Sequence, residues 1–159
     1  MTPNEIEALR AFYVDNRQPL YTYALSITRN REAAEDAVAG VFERLVSRDT
    51  LPVDLRPFVF RSVRNAAYDA CRRTKVRSDS LFASAAEISV SAAPIGPGED
   101  LEVLLRQLAP SEREAIVLRI YSGLSLAEIA ELHQAPLPTI ASWYRRGLER
   151  LRAMLKKEL

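Results

Sequence analysis

Apolar residues recur at spacings of three and four along most of the chain, and no segment keeps a spacing of two. That pattern predicts helices and excludes a sheet. Ile6, Leu9, Phe12, Tyr13, Leu20, Tyr23, Ala24 and Ile27 form the first helical stripe, with one expected break at Pro19. Arg29-Asn30 interrupts it. Ala34, Ala37, Val38, Val41, Phe42 and Leu45 mark one face of a second helix. The stretch SRDTLPVDLRP, with two prolines, reads as a loop. Phe58, Val59, Ser62, Val63, Ala66, Ala67, Ala70 and Cys71 then line a third helix that runs into RRTKVR.

Residues 78–98, SDSLFASAAEISVSAAPIGPG, lose the period and are rich in Ser, Ala, Pro and Gly, the composition of a linker. Leu81, Phe82, Ile88 and Val90 suggest contacts along its path, although a plain tether fits equally. Beyond it, Leu101, Leu104, Leu105 and Leu108 predict a helix over about 99–108. Ser111 and Glu114 have the S-x-x-E spacing of a capping box and predict a helix start that runs to Gly123. Ser125 and Glu128 repeat that spacing ahead of a short helix, SLAEIAEL. The turn HQAP and a long last helix from Leu137 follow.

Composition narrows the chemistry. No apolar run approaches the roughly 18 residues of a membrane span. The opening MTPNEIEALR is acidic where a secretory signal is basic, so a cytoplasmic protein is expected. One cysteine and one histidine leave no internal disulfide and no Cys/His zinc cage. No glycine-rich phosphate loop, Ser/His/Asp set or carboxylate pair is present, so neither catalysis nor a cofactor is expected. His133 reads as an exposed turn residue. Cys71 reads as a small packing hydrophobe, with a redox sensor as the alternative.

The net charge of +1 conceals an uneven distribution. Residues 1–77 carry 13 Lys/Arg against 10 Asp/Glu, residues 78–109 carry 1 against 5, and residues 110–159 carry 8 against 6. Two basic islands stand out. Residues 56–77 hold seven cations and Asp69 alone, and residues 137–159 hold six cations against Glu149 and Glu158. Two such islands flanking an acidic stretch suit two contacts with a polyanion, and equally two solvated helix faces.

A short helix, a four-residue turn and a longer arginine-bearing helix make a helix-turn-helix, whose second helix enters the DNA major groove. Ile129 and Leu132 are expected to pack inward. So are Ile140, Tyr144, Leu148, Leu151 and Leu155, within an arc of about 100°. Pro138, Ala141, Ser142, Arg145, Glu149, Arg152 and Lys156 occupy the other face, flanked by Arg146. Trp143 lies on the border, where an edge-of-core packing role is the plainer reading.

With these elements in view, SEREAIVLRIYSGLSLAEIAELHQAPLPTIASWYRRGLERLR resembles region 4 of the bacterial sigma-70 family, especially its small two-domain extracytoplasmic function (ECF) members. LYTYALSITRNREAAEDAVAGVFERLV resembles their region 2.1–2.2, and FVFRSVRNAAYDACRR their region 2.3–2.4. Both halves stand in family order. The resemblance implies an all-α chain of two small domains joined by a flexible linker. Residues 5–77 would be a region 2-like bundle of three to four helices, 78–98 the linker, and 99–157 a region 4-like helix-turn-helix domain. The implied function is that of an alternative sigma factor directing RNA polymerase to specific promoters. The implied partners are core RNA polymerase, promoter DNA and an anti-sigma factor.

Residue by residue, Asp36, Val38 and Phe42 match the family's polymerase-binding motif D-x-V-Q-E-x-F, while Ala39-Gly40 replaces its Gln-Glu pair. Arg61, Arg64, Asn65, Asp69, Arg72 and Arg73 match the helix that melts and reads the −10 element, Asn65 at a position that helps recognise a flipped-out base. Opening DNA requires such a basic track and a pocket for an unstacked base. Arg119, Pro136, Thr139, Ser142, Arg145 and Arg146 match positions that contact the −35 element. Gln134, Ala141 and Trp143 depart from the family's usual Gly and basic residues, which implies a −35 readout that is different or weaker. Two other functions compete. One is a sigma-like module that titrates an anti-sigma factor without initiating transcription, suggested by Ala39-Gly40. The other is a stand-alone helix-turn-helix regulator, which leaves the first half unexplained.

Overall fold

The computed structural model describes residues 1–80 and 99–158, with side chains over 1–75 and 103–157. The chain divides into two compact units, Met1–Ala93 and Pro94–Leu159. The described residues are all-α, as the hydrophobic period requires. Most of the segment read as a linker, including Leu81, Phe82, Ile88 and Val90, lies outside the described residues. Its first three residues, 78–80, belong to the end of a helix.

The first unit is a bundle of three helices, each in contact with the other two: α1 (Pro3–Thr28), α2 (Arg31–Val46) and α3 (Leu55–Ser80). Thr2 starts α1 with a capping box that the hydrophobic pattern does not mark. Its Oγ1 accepts the Glu5 N–H at 3.2 Å, and Glu5 Oε2 accepts the Thr2 N–H at 2.8 Å. Glu5 Oε1 also accepts the Leu51 N–H at 3.3 Å, tying the α2–α3 loop to the start of α1.

The expected break at Pro19 is absent, and α1 runs through it without interruption. An interior proline costs a helix about 3 kcal/mol. The neighbouring Leu20, Tyr23 and Ala24, all wholly buried, supply the packing that offsets it. Ile6 and Tyr13, expected in the core, are exposed, whereas Leu25 is buried. Arg29 ends the helix in the left-handed region, φ 54°, with its N–H on Leu25 O at 2.8 Å. Asn30 caps α2 by accepting the Ala33 N–H at 2.9 Å. The buried face of α2 is the six residues its periodicity marks. In α3 the buried arc centres on Val59, Phe60, Val63 and Ala67. Phe60, outside the expected stripe, packs on Tyr23 with ring centroids 6.1 Å apart, while half-buried Phe58 carries the Arg48 guanidinium 5.2 Å from its centroid.

The second unit comprises α4 (Glu99–Arg106), α5 (Pro110–Ile116), α6 (Leu126–His133) and α7 (Leu137–Glu158). Ser111 and Glu114 do not form the expected capping box. The cap lies two residues earlier, at Ala109, with Pro110 as the first helical residue, and the Ala109 N–H donates to Glu112 Oε1 at 3.3 Å. Glu114 instead turns inward and is buried. Residues Glu114–Leu118 are buried consecutively, so α5 is the hub of this unit. It continues as a π turn, Val117–Tyr121, in which the Ser122 N–H reaches Val117 O at 3.0 Å. Gly123, at φ 72°, makes the exit. Ser125 and Glu128 do form their capping box, with both bonds at 3.0 Å.

Candidate nucleic-acid and polymerase interfaces

The basic face of α3 follows from its buried one. At about 100° per residue, Arg61, Arg64, Asn65 and Arg72 fall within one arc of about 100°, away from Val63 and Ala67. Asn65 is exposed at one edge of it. Arg64 lies 4.9 Å over the Tyr68 ring, in the same arc. Arg72 is exposed and bridges to Asp69 one turn back. Tyr68 is not among the residues expected from the sequence, yet it sets an aromatic face beside Asn65 and Arg64, the means by which an unstacked base is held. The (i, i+3) spacing from Asn65 is the signal that could have found it.

Arg73 points elsewhere, about 100° around the helix. It lines a groove between α2 and α3 with Asp36, Gly40, Arg44, Ala66 and Ala70. The groove exists because the facing residues are small. A Cβ built on Gly40 meets only Arg44 Nη1, at 3.6 Å. Of the three residues matched to the polymerase motif, Asp36 alone is exposed. Val38 and Phe42 are 7% and 9% exposed and serve the core. The Phe42 ring meets Tyr13 edge-on at 4.9 Å and Phe12 at 6.3 Å. As placed here these two shape α2 from beneath, and the outward surface is Asp36, Ala39 and the Gly40 groove.

In the second unit α6 and α7 form the helix-turn-helix. Gln134, in the left-handed region at φ 53° and ψ 44°, ends α6, and the Ala135 N–H returns to Ala130 O at 3.0 Å. Pro136 O then accepts the Thr139 N–H at 3.0 Å and opens α7. Ile140, Gly147 and Leu151 are buried. Leu155, expected in the core, is 45% exposed. The buried face is therefore centred on Gly147, which periodicity could not mark because glycine carries no side chain. A Cβ there would lie 2.6 Å from Ile116 Cδ1 and 3.3 Å from Glu112 O, so α7 sits directly on α5.

This rotation sorts the expected −35 residues. Pro136 and Arg145 are exposed, Ser142 is half-buried at the outward side, and half-buried Thr139 falls in the same stripe as Arg146 and Arg150. Arg119 is exposed on the π turn, with Nη1 donating to Leu124 O at 3.4 Å. Arg146 leans toward α5, its Nε 4.0 Å from Glu112 Oε2. Arg150, which the sequence does not mark, places Nη1 3.1 Å from Glu112 Oε1. His133 is not an exposed turn residue. Its side chain is 6% exposed, with Nε2 3.8 Å from Glu114 Oε2. It also meets Trp143 edge-on at 5.4 Å, placing that indole at the edge of the core. The inward turn of Glu114 creates this contact between α5, α6 and α7.

No helix among the described residues is long and apolar enough to cross a membrane. Comparison with curated proteins gave no match. Two solved structures are similar in fold. One is the sigma factor RpoE in complex with the anti-sigma factor NepR from Bartonella quintana, with a TM-score of 0.72 and 23% identity over 94% of this chain and 98% of that one. The other is CnrH in complex with the cytosolic domain of CnrY, with a TM-score of 0.70 and 21% identity over 96% of this chain and 90% of that one. Sigma-70 region 2 matches residues 12–77, within the first unit, and Sigma-70 region 4 matches residues 98–151, within the second. With both regions matched in order over most of its length, the chain belongs to the sigma-70 family, whose members bind RNA polymerase and promoter DNA to initiate transcription.

Proposed function

We propose that this protein is a sigma factor of the ECF type that works in the cytoplasm and has no catalytic activity of its own. The first unit binds core polymerase through Asp36 and the outer surface of α2. It opens and reads the −10 element with Arg61, Arg64, Asn65, Tyr68 and Arg72. The second unit reads the −35 element with Arg119, Thr139, Ser142 and Arg145. One similar structure holds a sigma factor together with an anti-sigma factor, and an anti-sigma factor is proposed as the partner that restrains this one.

The observation that carries the reading is the α3 face. Three arginines, an exposed Asn65 and a cation-stacked Tyr68 share one arc on a rigid, packed helix. Such a face suits single-stranded DNA with an extruded base better than it suits duplex readout. Run-off transcription with purified core polymerase tests it. Wild type is expected to support initiation, and Asn65→Ala to lose it while still binding polymerase. Polymerase-independent binding of an anti-sigma protein with no transcript from any promoter would favour the titrating module instead.

A further inference from the structure

The arginines of α7 do not all serve the same purpose. α5 and α7 touch at Gly147, where the absent side chain lets the helices close to contact. That contact brings Glu112, 3% exposed, beneath Arg146 and Arg150. Both arginines are more than half exposed, at 52% and 57%, so they lie where solvent or phosphate could reach them. A carboxylate under them is little screened, because salt and water are excluded from its site. Its other partner, the Ala109 N–H, fixes it in place.

We propose that Glu112 sets how much positive charge the −35-reading unit offers to DNA phosphates. It holds Arg146 and Arg150 on the α5 side of α7 and cancels part of their charge. The outward face is left to Arg145 and Ser142. Phosphate contacts add affinity for every sequence alike, whereas base contacts discriminate. A buried anion that withdraws two cations from the phosphate track lowers the first without touching the second. The sequence shows Arg145-Arg146 as an equivalent pair. The structure divides them, because Arg146 is one step closer to Gly147 and hence to α5. This inference rests on α7 being the DNA-contacting helix.

The test uses the full chain and fluorescence anisotropy with a labelled non-promoter duplex over a range of salt. Glu112→Gln keeps the shape and the acceptor for Ala109 but removes the charge. Each phosphate newly contacted should raise affinity roughly five- to tenfold at 0.1 M salt and steepen the log–log salt slope by about 0.9. Arg146→Gln/Arg150→Gln added to Glu112→Gln should return both to wild type. Unchanged or weaker non-promoter binding by folded Glu112→Gln overturns the proposal. Should that variant not fold, Arg146→Gln/Arg150→Gln alone decides. A slope flattened by less than 0.9 supports the proposal, and a flattening of about 1.8 shows both arginines already on phosphates and overturns it. Arg145→Ala, run in parallel on a duplex that carries the promoter −35 element, keeps the two levels apart. If it leaves duplex binding unchanged, α7 is not the docking helix and the underlying reading fails. If it weakens binding while Glu112→Gln changes nothing, only the role of Glu112 fails.

Discussion

Cys71 and Gln134 show how single side chains answer to their surroundings. Cys71 is half-buried on α3, and its Sγ lies 3.4 Å from Ile27 O, to which the thiol donates. Burial pushes the thiol above its ordinary value, against a smaller downward pull from Arg29. The folded protein thus holds that proton more tightly than the unfolded chain. The stabilising difference is intact below the ordinary thiol value and declines as pH rises past it toward the folded value. Alkylation by iodoacetamide at pH 8 is expected to be slower in the folded protein than in denatured chain, with stability falling above about pH 9. Equal alkylation rates would contradict a packing role. Gln134 occupies a left-handed backbone position that costs an ordinary residue about 1–2 kcal/mol. Replacement by glycine removes that strain but adds chain entropy, so Gln134→Gly should stabilise by about 0.5–1 kcal/mol in a denaturant melt. A loss of stability would mean that the Gln134 side chain contributes more than its backbone costs.

At the scale of elements, two glycines in helices have opposite meanings. Gly40 faces an open groove, where a Cβ meets nothing closer than 3.6 Å. Gly40→Ala should stabilise α2 by about 0.5–1 kcal/mol. Gly147 lies where α7 rests on α5, and a Cβ would stand 2.6 Å from the fully packed Ile116. Gly147→Ala should destabilise by about 1–3 kcal/mol. Thermal melts of the two variants check both signs, and a shift in the same direction for both would refute the distinction. The same reasoning separates residues on α2. Val38 and Phe42 are core, so their truncation would confuse binding with stability. Asp36 is exposed, and Asp36→Arg is expected to weaken co-purification with core polymerase while leaving the melt within about 0.5 kcal/mol of wild type. Undiminished capture of polymerase by that variant would remove α2 from the interface.

At the scale of the whole molecule, residues 1–77 carry a net charge of +3 and residues 110–159 one of +2. Little non-specific grip follows from such charges. The two promoter elements lie roughly two helical turns, about 70 Å, apart. Polymerase is therefore expected to supply what spans the gap, with promoter affinity concentrated in the complex. Anisotropy with promoter duplex should show weak binding by the isolated protein and tight binding once core enzyme is added. Tight, sequence-specific binding by the protein alone would point to an autonomous helix-turn-helix regulator.

The helices and their order are legible in the chain, because they arise from contacts three to five residues apart. The α2 core face and the Ser125–Glu128 cap are such local features. The family resemblance is legible for the same reason, being written in runs of residues. Contacts between elements are not. Pro19 signals a break locally, and only the burial of Leu20, Tyr23 and Ala24 outweighs it. Ser111 and Glu114 have a capping spacing, yet Glu114 is drawn inward toward His133. Gly147, invisible to a hydrophobic stripe, sets the rotation of α7 and so decides which arginine faces outward. Packing of one helix on another fixes that angle, and a period of 3.6 residues is blind to it.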